Sequence, residues 1–238
     1  MADRYFVEHP VGDATNIELD GDEGQHLAKV MRAQVGDLVT LFDGSGDEFE
    51  GRVTAVRKGS VTLDIIRRET VNRELDQQIF IAVALPKGDR QKWLIEKLVE
   101  LGVARIIPIT TTRGVAQPVE QALARLRRQV IEASKQCGRN RLLEIAEPRS
   151  LTDLAADSSA ARRWFAHPGE GSVSISQAIG QPVESSRTFL IAIGPEGGFT
   201  DEEAATLLQN QWQPVSLGKS ILRIETAAIA VAAAVGLR

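Results

Sequence analysis

A chain of 238 residues, 43% hydrophobic and 25% charged, has the composition expected of a soluble globular protein, long enough for one large domain or two ordinary ones. The single Cys137 excludes an internal disulfide framework, no uninterrupted apolar stretch reaches membrane-spanning length, and no amino-terminal signal pattern appears, so a cytoplasmic location is expected. A net charge of −4 argues on its face against a nucleic-acid partner, but residues 1–72 carry 8 Lys/Arg against 14 Asp/Glu, leaving 20 against 18 in the remainder.

The first 72 residues read as short strands and turns. RYFV (4–7) starts one strand. GDEGQHLAKVMRA reads as a short helix with Leu27, Val30 and Met31 at helical spacing. DLVTLFDGSGDEFEGRVTAV reads as a hairpin whose loop is Gly44-Ser45-Gly46-Asp47, and SVTLDIIRR adds another alternating strand. Several short strands with one helix suggest a small β-barrel.

Near VNRELDQQ (71–78) the rhythm changes, which places a domain boundary between residues 72 and 73. FIAVAL (80–85) is a continuous apolar strand, and Asp89 is placed to cap the helix RQKWLIEKLVEL, with Gly102 at its C′ position. Trp93 reads as part of that helix's core face. VARIIPIT is a further buried strand, and Pro118 is placed to open the long helix VEQALARLRRQVIEASKQ. WFAH (164–167), TFLIAI (188–193) and WQPVSLG (212–218) supply more strands before the apolar tail AAIAVAAAVGL, read as a buried helix. Strands alternating with helices imply an α/β layer with a mostly parallel sheet.

Three features carry chemistry. The first is IGPEGGFTDEE (193–203), where glycines follow a buried strand at the place where ligands usually sit in open α/β sheets. It is neither GxGxxG nor a P-loop, and Glu196 would repel a polyphosphate while suiting hydroxyl donors, an amine or a cation. Thr200 and Glu203 form a capping box, so a well-capped turn without ligand is the competing reading. The second feature is SLGKSILRIETAAIA (216–230), in which Gly218 follows another strand, so the two glycine turns could share one pocket. Its Arg223 and Glu225 border an apolar region and should pair with each other, with a neighbouring chain or with a ligand. The third is the stretch 123–141, where Arg125, Arg127, Arg128, Arg139, Arg141 and Lys135 face only Glu132, either as a phosphate-binding stripe or as a solvated helix face. His9, His26 and His167 lack ligand spacing, so no metal is expected.

RYFV (4–7), HLAKVMRAQVGD (26–37), KGDRQKWLIEKLVELGVARIIPITTTR (87–113), IGPEGGFTDEE and LGKSILRIETA (217–227) together resemble the bacterial 16S rRNA (uracil-N3)-methyltransferases of the SPOUT superfamily, over nearly the whole chain. One departure is Lys135 in ASKQCGR (133–139), where a glutamate before the glutamine is common in that family. The resemblance implies an α/β protein with an amino-terminal PUA-like β-barrel for RNA (1–72) and a SPOUT methyltransferase domain (73–238) ending in a deep trefoil knot. It also implies S-adenosyl-L-methionine as methyl donor, a homodimer, and 16S rRNA in the small ribosomal subunit as partner. The alternatives are a SPOUT enzyme acting on another nucleotide, or a non-catalytic RNA-binding or ribosome-assembly protein.

On this resemblance the donor meets Gly194, Glu196, Gly197, Gly198, Leu217 and Gly218, with Ile221 and Leu222 walling the adenine. Thr226 either adds a hydroxyl contact or caps the last helix. Arg223 is the candidate for stabilising charge on a uracil oxygen or holding the target phosphate, and Glu225 for orienting Arg223 or contacting the donor. RNA would meet Arg4, Arg32, Arg125, Arg127, Arg128, Arg139 and Arg141.

Overall fold

The computed structural model describes residues 4–115, 119–169, 171–181 and 188–237. Two compact units emerge: Met1–Glu74 with Ile131–Leu142, and Leu75–Val130 with Leu143–Arg238.

The first unit holds β1 (Arg4–Phe6), β2 (Asn16–Leu19), α1 (Gly21–Gln25), β3 (Leu38–Phe42), β4 (Asp47–Arg57) and β5 (Ser60–Thr70). They form a five-stranded sheet in the order β1-β3-β4-β5-β2, antiparallel except where β1 runs parallel to β3. The period-two pattern of the sequence is realised here: Phe49 and Val53 of β4 and Val61 and Leu63 of β5 point into one core with Tyr5, Leu19 and Leu41. β2 was not recognised in the sequence, because NIEL has only four residues and a half-polar pattern.

The helix expected over 21–33 is two things. After α1 the chain widens into a π-turn, His26–Val30, closed by the Met31 amide donating to the His26 carbonyl at 3.0 Å. The wider turn breaks the 3.6-residue register, so Leu27 is buried while Val30 and Met31 are 65% and 42% exposed.

The second unit is a parallel α/β layer. Its strands are β6 (Gln78–Val83), β7 (Arg105–Thr110), β8 (Glu144–Ile145), β9 (Arg149–Ser150), β10 (Arg162–Ala166), β11 (Val173–Ser174), β12 (Thr188–Ile193) and β13 (Gln213–Ser216). The sheet order is β11-β13-β10-β12-β6-β7-β8, with β9 paired to β7. Parallel strands covered on both faces need continuous apolar runs. QIFIAV and TFLIAI supply them, aligned residue for residue from Gln78↔Thr188 to Val83↔Ile193.

The helices of this layer are α2 (Arg90–Glu100), α3 (Glu120–Cys137), α4 (Leu151–Ala155), α5 (Ile175–Gly180), α6 (Asp201–Gln209) and α7 (Ile224–Gly236). α3 passes from the second unit into the first at Val130/Ile131. The expected opening of α3 at Pro118 lies outside the described residues. α2 ends in a Schellman motif: Gly102, at φ +75°, donates its amide to Val99, and Val103 donates to Leu98. Asp89 does not cap α2 with its side chain, because its backbone is already helical, at φ −63° and ψ −18°. Nor is Trp93 a core residue. Leu94, Ile95, Leu98 and Val99 take the buried face of α2, which turns Trp93 outward at 45% exposure.

Gly24 in α1 has no room for a side chain, since a Cβ would stand 2.3 Å from the Leu19 carbonyl oxygen and 2.9 Å from that of Gly59. Both are backbone atoms, so the helix would have to shift. Gly24→Ala is therefore expected to destabilise the first unit by about 1–3 kcal/mol, read as a lowered urea midpoint at unchanged slope.

Candidate active site at three parallel strand ends

Strand order brings the two glycine turns together. β10 lies between β12 and β13, and all three run parallel, so their carboxyl ends open on one edge of the sheet. A cavity of about 230 Å³ sits there. β12 contributes Ile193 to Gly198, and β13 contributes Val215, Leu217, Gly218, Ser220, Ile221 and Leu222. Ile224 and Ala227 come from α7. The third wall, Ala166, His167 and Pro168 at the end of β10, was not singled out in the sequence. The strand WFAH was recognised, but only the sheet order reveals that its end falls between the other two.

The loop after β12 is shaped by backbone demands. A Cβ on Gly194 would press on the Phe199 ring at 3.2–3.3 Å. Gly198 sits at φ +69° and donates its amide to the Pro195 carbonyl at 2.8 Å. The expected capping box is present: Thr200 Oγ1 accepts from the Glu203 amide, and Glu203 Oε2 accepts from the Thr200 amide. Glu203 Oε1 also accepts from the Thr112 amide at 2.7 Å, which ties the start of α6 to the loop after β7.

Eight of the nine residues expected around a donor line this cavity: Gly194, Glu196, Gly197, Gly198, Leu217, Gly218, Ile221 and Leu222. Thr226 does not. It is exposed inside α7, and the N-cap position belongs to Arg223, so Thr226 caps nothing. Ile221 is 88% exposed, an apolar wall facing open space.

Arg223 and Glu225 do not pair with each other. Arg223 is exposed at the N-cap of α7, with no ion pair or side-chain hydrogen bond among the described residues. Glu225 is 4% exposed, with its Oε2 3.7 Å from Arg90 Nη1. The other arm of Arg90, Nη2, donates to Glu196 Oε1 at 3.0 Å. The backbone explains the separation: Arg223 is extended at the N-cap, at φ −67° and ψ 157°, while Glu225 lies in the first turn of α7, so the two side chains leave in different directions.

The seven arginines assigned to RNA differ in availability. In the first unit Arg4, 9% exposed in its side chain, donates to Glu48 and Asn140. Arg139 is 4% exposed and held by Glu74. These two are internal ties, not free phosphate ligands. Arg32 (φ +55°) and Arg141 are exposed. In the second unit Arg125 and Arg128 are exposed, while Arg127 is engaged by Glu120 and Glu147. Lys135 also has a structural partner, Glu23, at 2.7 Å, and lies 5.9 Å from the Tyr5 ring centroid. Among the described residues no His, Cys, Asp and Glu are grouped to hold a metal, and no helix is long and apolar enough to cross a membrane.

A parallel α/β sheet with a glycine-lined cavity at adjoining strand ends defines a small-molecule-binding α/β enzyme fold. Residues 73–236 match the RNA methyltransferase domain family, and residues 19–66 match the RNA methyltransferase PUA domain family. The chain belongs to this RNA methyltransferase family, and its relatives include proteins named ribosomal RNA small subunit methyltransferase E. The Bacillus subtilis protein of that name is 30% identical, over 94% of this chain and 92% of its own length. Among solved structures, a Legionella pneumophila protein in complex with the cofactor SAM is 31% identical, with a TM-score of 0.88 over 99% of this chain and 97% of the other. The Neisseria gonorrhoeae ribosomal RNA small subunit methyltransferase E, bound to S-adenosyl methionine, is 28% identical, with a TM-score of 0.86 over 98% and 96%.

Arg4 also belongs to a cluster that responds to acid. Burial works against the charge on Glu48, but hydrogen bonds and charges from Arg4 and Arg73 outweigh it and hold the carboxyl below its ordinary value of 4.5. A depressed folded-state value gives stability that is present above the unfolded value and lost as pH falls through the folded one. The first unit should therefore lose stability on acidification below about pH 4.5, and Glu48→Gln should be less stable at neutral pH but flatter across that range. Urea midpoints of both proteins across that range check it, and an equal acid slope in the variant would refute it.

Proposed function

We propose that this chain methylates N3 of a specific uridine in 16S rRNA, on the assembled small ribosomal subunit, with S-adenosyl-L-methionine as donor. One observation carries the reading: among the described residues, the lining of the cavity where β10, β12 and β13 end has no Lys or Arg, a single carboxylate (Glu196), one imidazole (His167), one hydroxyl (Ser220), and otherwise glycine backbone and apolar walls. Such a lining does not suit a phosphate-bearing nucleotide, and it does suit a cationic, phosphate-free ligand with a flat heteroaromatic base. Glu196 shares its charge with Arg90, so its pull on a cation is moderated rather than absent.

When bound, the donor supplies an electrophilic methyl carbon on a sulfonium. The chain's own task is then to align a uracil nitrogen in line with that bond and to manage the N3 proton. Ile221 and Leu222 give one side of the cavity an apolar wall for the donor's base. Gly194, Gly197, Gly198 and Gly218 line the cavity with no side chain between their backbone and a base edge, and the Leu217 backbone borders the same space. Arg223, exposed and uncommitted beside Leu222 and Ile224, holds developing negative charge on a uracil oxygen or the target phosphate. Glu225, buried against Arg90 and absent from the cavity lining, acts on the site through its neighbours. N3 belongs to the pairing edge of uracil, so the target base enters unpaired or flipped out.

The wider assignment follows. Residues 1–72 form a PUA-like β-barrel that engages RNA through Arg32, and residues 73–238 form a SPOUT domain whose cavity segments belong to a deep trefoil knot. Of the other arginines assigned to RNA, Arg125, Arg128 and Arg141 are free to meet phosphate, Arg127 contributes only by leaving its carboxylates, and the working form is a cytoplasmic homodimer.

Incubation with labelled S-adenosylmethionine and unmodified small subunits, followed by digestion and mass spectrometry, should yield N3-methyluridine at one position. Arg223→Ala should lower kcat/KM by about 100- to 1,000-fold, as loss of a donor aimed at developing charge does. A methyl group on another atom or nucleotide would replace the uracil assignment, and absence of donor binding would leave an RNA-binding protein.

A further inference from the structure

The cavity's loops are fastened from outside by two arginines that do not line it. Arg90 opens α2, just beyond the end of β6. One guanidinium reaches two segments: Nη2 donates to Glu196 Oε1 at 3.0 Å, and Nη1 lies 3.7 Å from Glu225 Oε2. Glu196 is a cavity residue, and Glu225 stands beside the cavity residue Ile224. Arg113, beyond the end of β7, donates from Nη1 to the Gly197 carbonyl at 2.7 Å. Its Cδ lies 3.2 Å from where a Cβ on Gly197 would stand, so that glycine is what lets the side chain run against the loop.

We infer that Arg90 and Arg113 are positioning residues for the donor pocket, fixing the Glu196–Gly197 wall against the start of α7; the inference rests on the methyltransferase reading above. A loop written Gly-Pro-Glu-Gly-Gly has much backbone freedom to lose on binding. Holding it in shape beforehand removes that cost from the ligand. An ordinary surface ion pair would not join residues 106 and 84 positions apart to consecutive residues of one cavity wall. Nor would it face a carboxylate as buried as Glu225, whose Oε2 has no hydrogen-bond partner among the described residues. Removing Arg90 leaves that charge uncompensated, and the start of α7 must move to rehydrate it.

The experiment is isothermal titration of the full-length protein with S-adenosylmethionine, alongside steady-state methylation of small subunits. Arg113→Ala and Arg90→Gln should each weaken donor binding about ten-fold, the equivalent of one good hydrogen bond, with kcat at saturating donor within about two-fold of wild type. Arg90→Lys should recover part of the loss, since an ammonium reaches one carboxylate but not two. Arg90→Gln/Glu196→Gln should lose less donor affinity than the sum of the two single losses, because both changes cut the same tie. Arg113 is exposed, so its variant reports on the loop even if Arg90→Gln fails to fold. Unchanged donor affinity in Arg113→Ala, or a fall in kcat at unchanged donor KM, overturns the inference while leaving the methyltransferase reading intact. A wild-type protein that does not bind the donor overturns both.

Discussion

The second unit depends on the parallel pairing of β12 with β6 on one side and β10 on the other. Six consecutive residues of β12 align with six of β6, and Arg162–Phe165 align with Phe189–Ala192. Because the strands are parallel, their carboxyl ends emerge together. Because the chain places β13 on the far side of β10, three segments distant in sequence finish within one cavity. A slip of one residue would turn Leu190 and Ala192 from one face of the layer to the other. The site inherits its precision from register, and register is held by buried aliphatic side chains such as Ile81, Ile191 and Ile193.

What remains soft in such a design is the glycine loop itself, and the surrounding polar groups compensate for it. Glu203 closes the capping box with one oxygen and accepts the Thr112 amide with the other. Arg113 holds the Gly197 carbonyl, and Arg90 holds the Glu196 carboxylate. All of these partners come from the ends of β6 and β7 or the start of α6. The cavity is thus bounded by the ends of three strands and braced from those of two more.

Much of this was legible in the residues. TFLIAI reads as a strand because a parallel, doubly covered strand tolerates five consecutive apolar positions, and the structure gives Thr188–Ile193. Thr200 and Glu203 announce the capping box by spacing alone. Other features were not legible, for identifiable reasons. His167 looked like an isolated histidine because its significance comes from sheet order, which no local pattern encodes. For Glu225 the sequence offers Arg223, a neighbouring chain or a ligand as partner, whereas the one it meets, Arg90, lies in α2. Val30 and Met31 fit a helical face until the π-turn at His26–Val30 rotated them outward. The return of Ile131–Leu142 to the first unit was hidden inside an unbroken helical pattern, since periodicity reports a helix but not which core each turn serves.

Charge shows the same limit. The stretch 123–141 looks like one basic stripe when written as letters, yet Arg139 is buried against Glu74, and Arg127 has two carboxylates of its own. Arg4, taken as a phosphate ligand, instead holds Glu48 and Asn140 within the first unit. Of the seven arginines assigned to RNA, Arg32, Arg125, Arg128 and Arg141 stay exposed with no carboxylate partner among the described residues. Four phosphate contacts give a salt slope of only about −3 on a single strand, and correspondingly little affinity without sequence or shape. Phosphate contacts carry no sequence information, so any discrimination calls for contacts to bases or to a folded surface, which is the physical reason for proposing the assembled small subunit rather than naked RNA as the substrate.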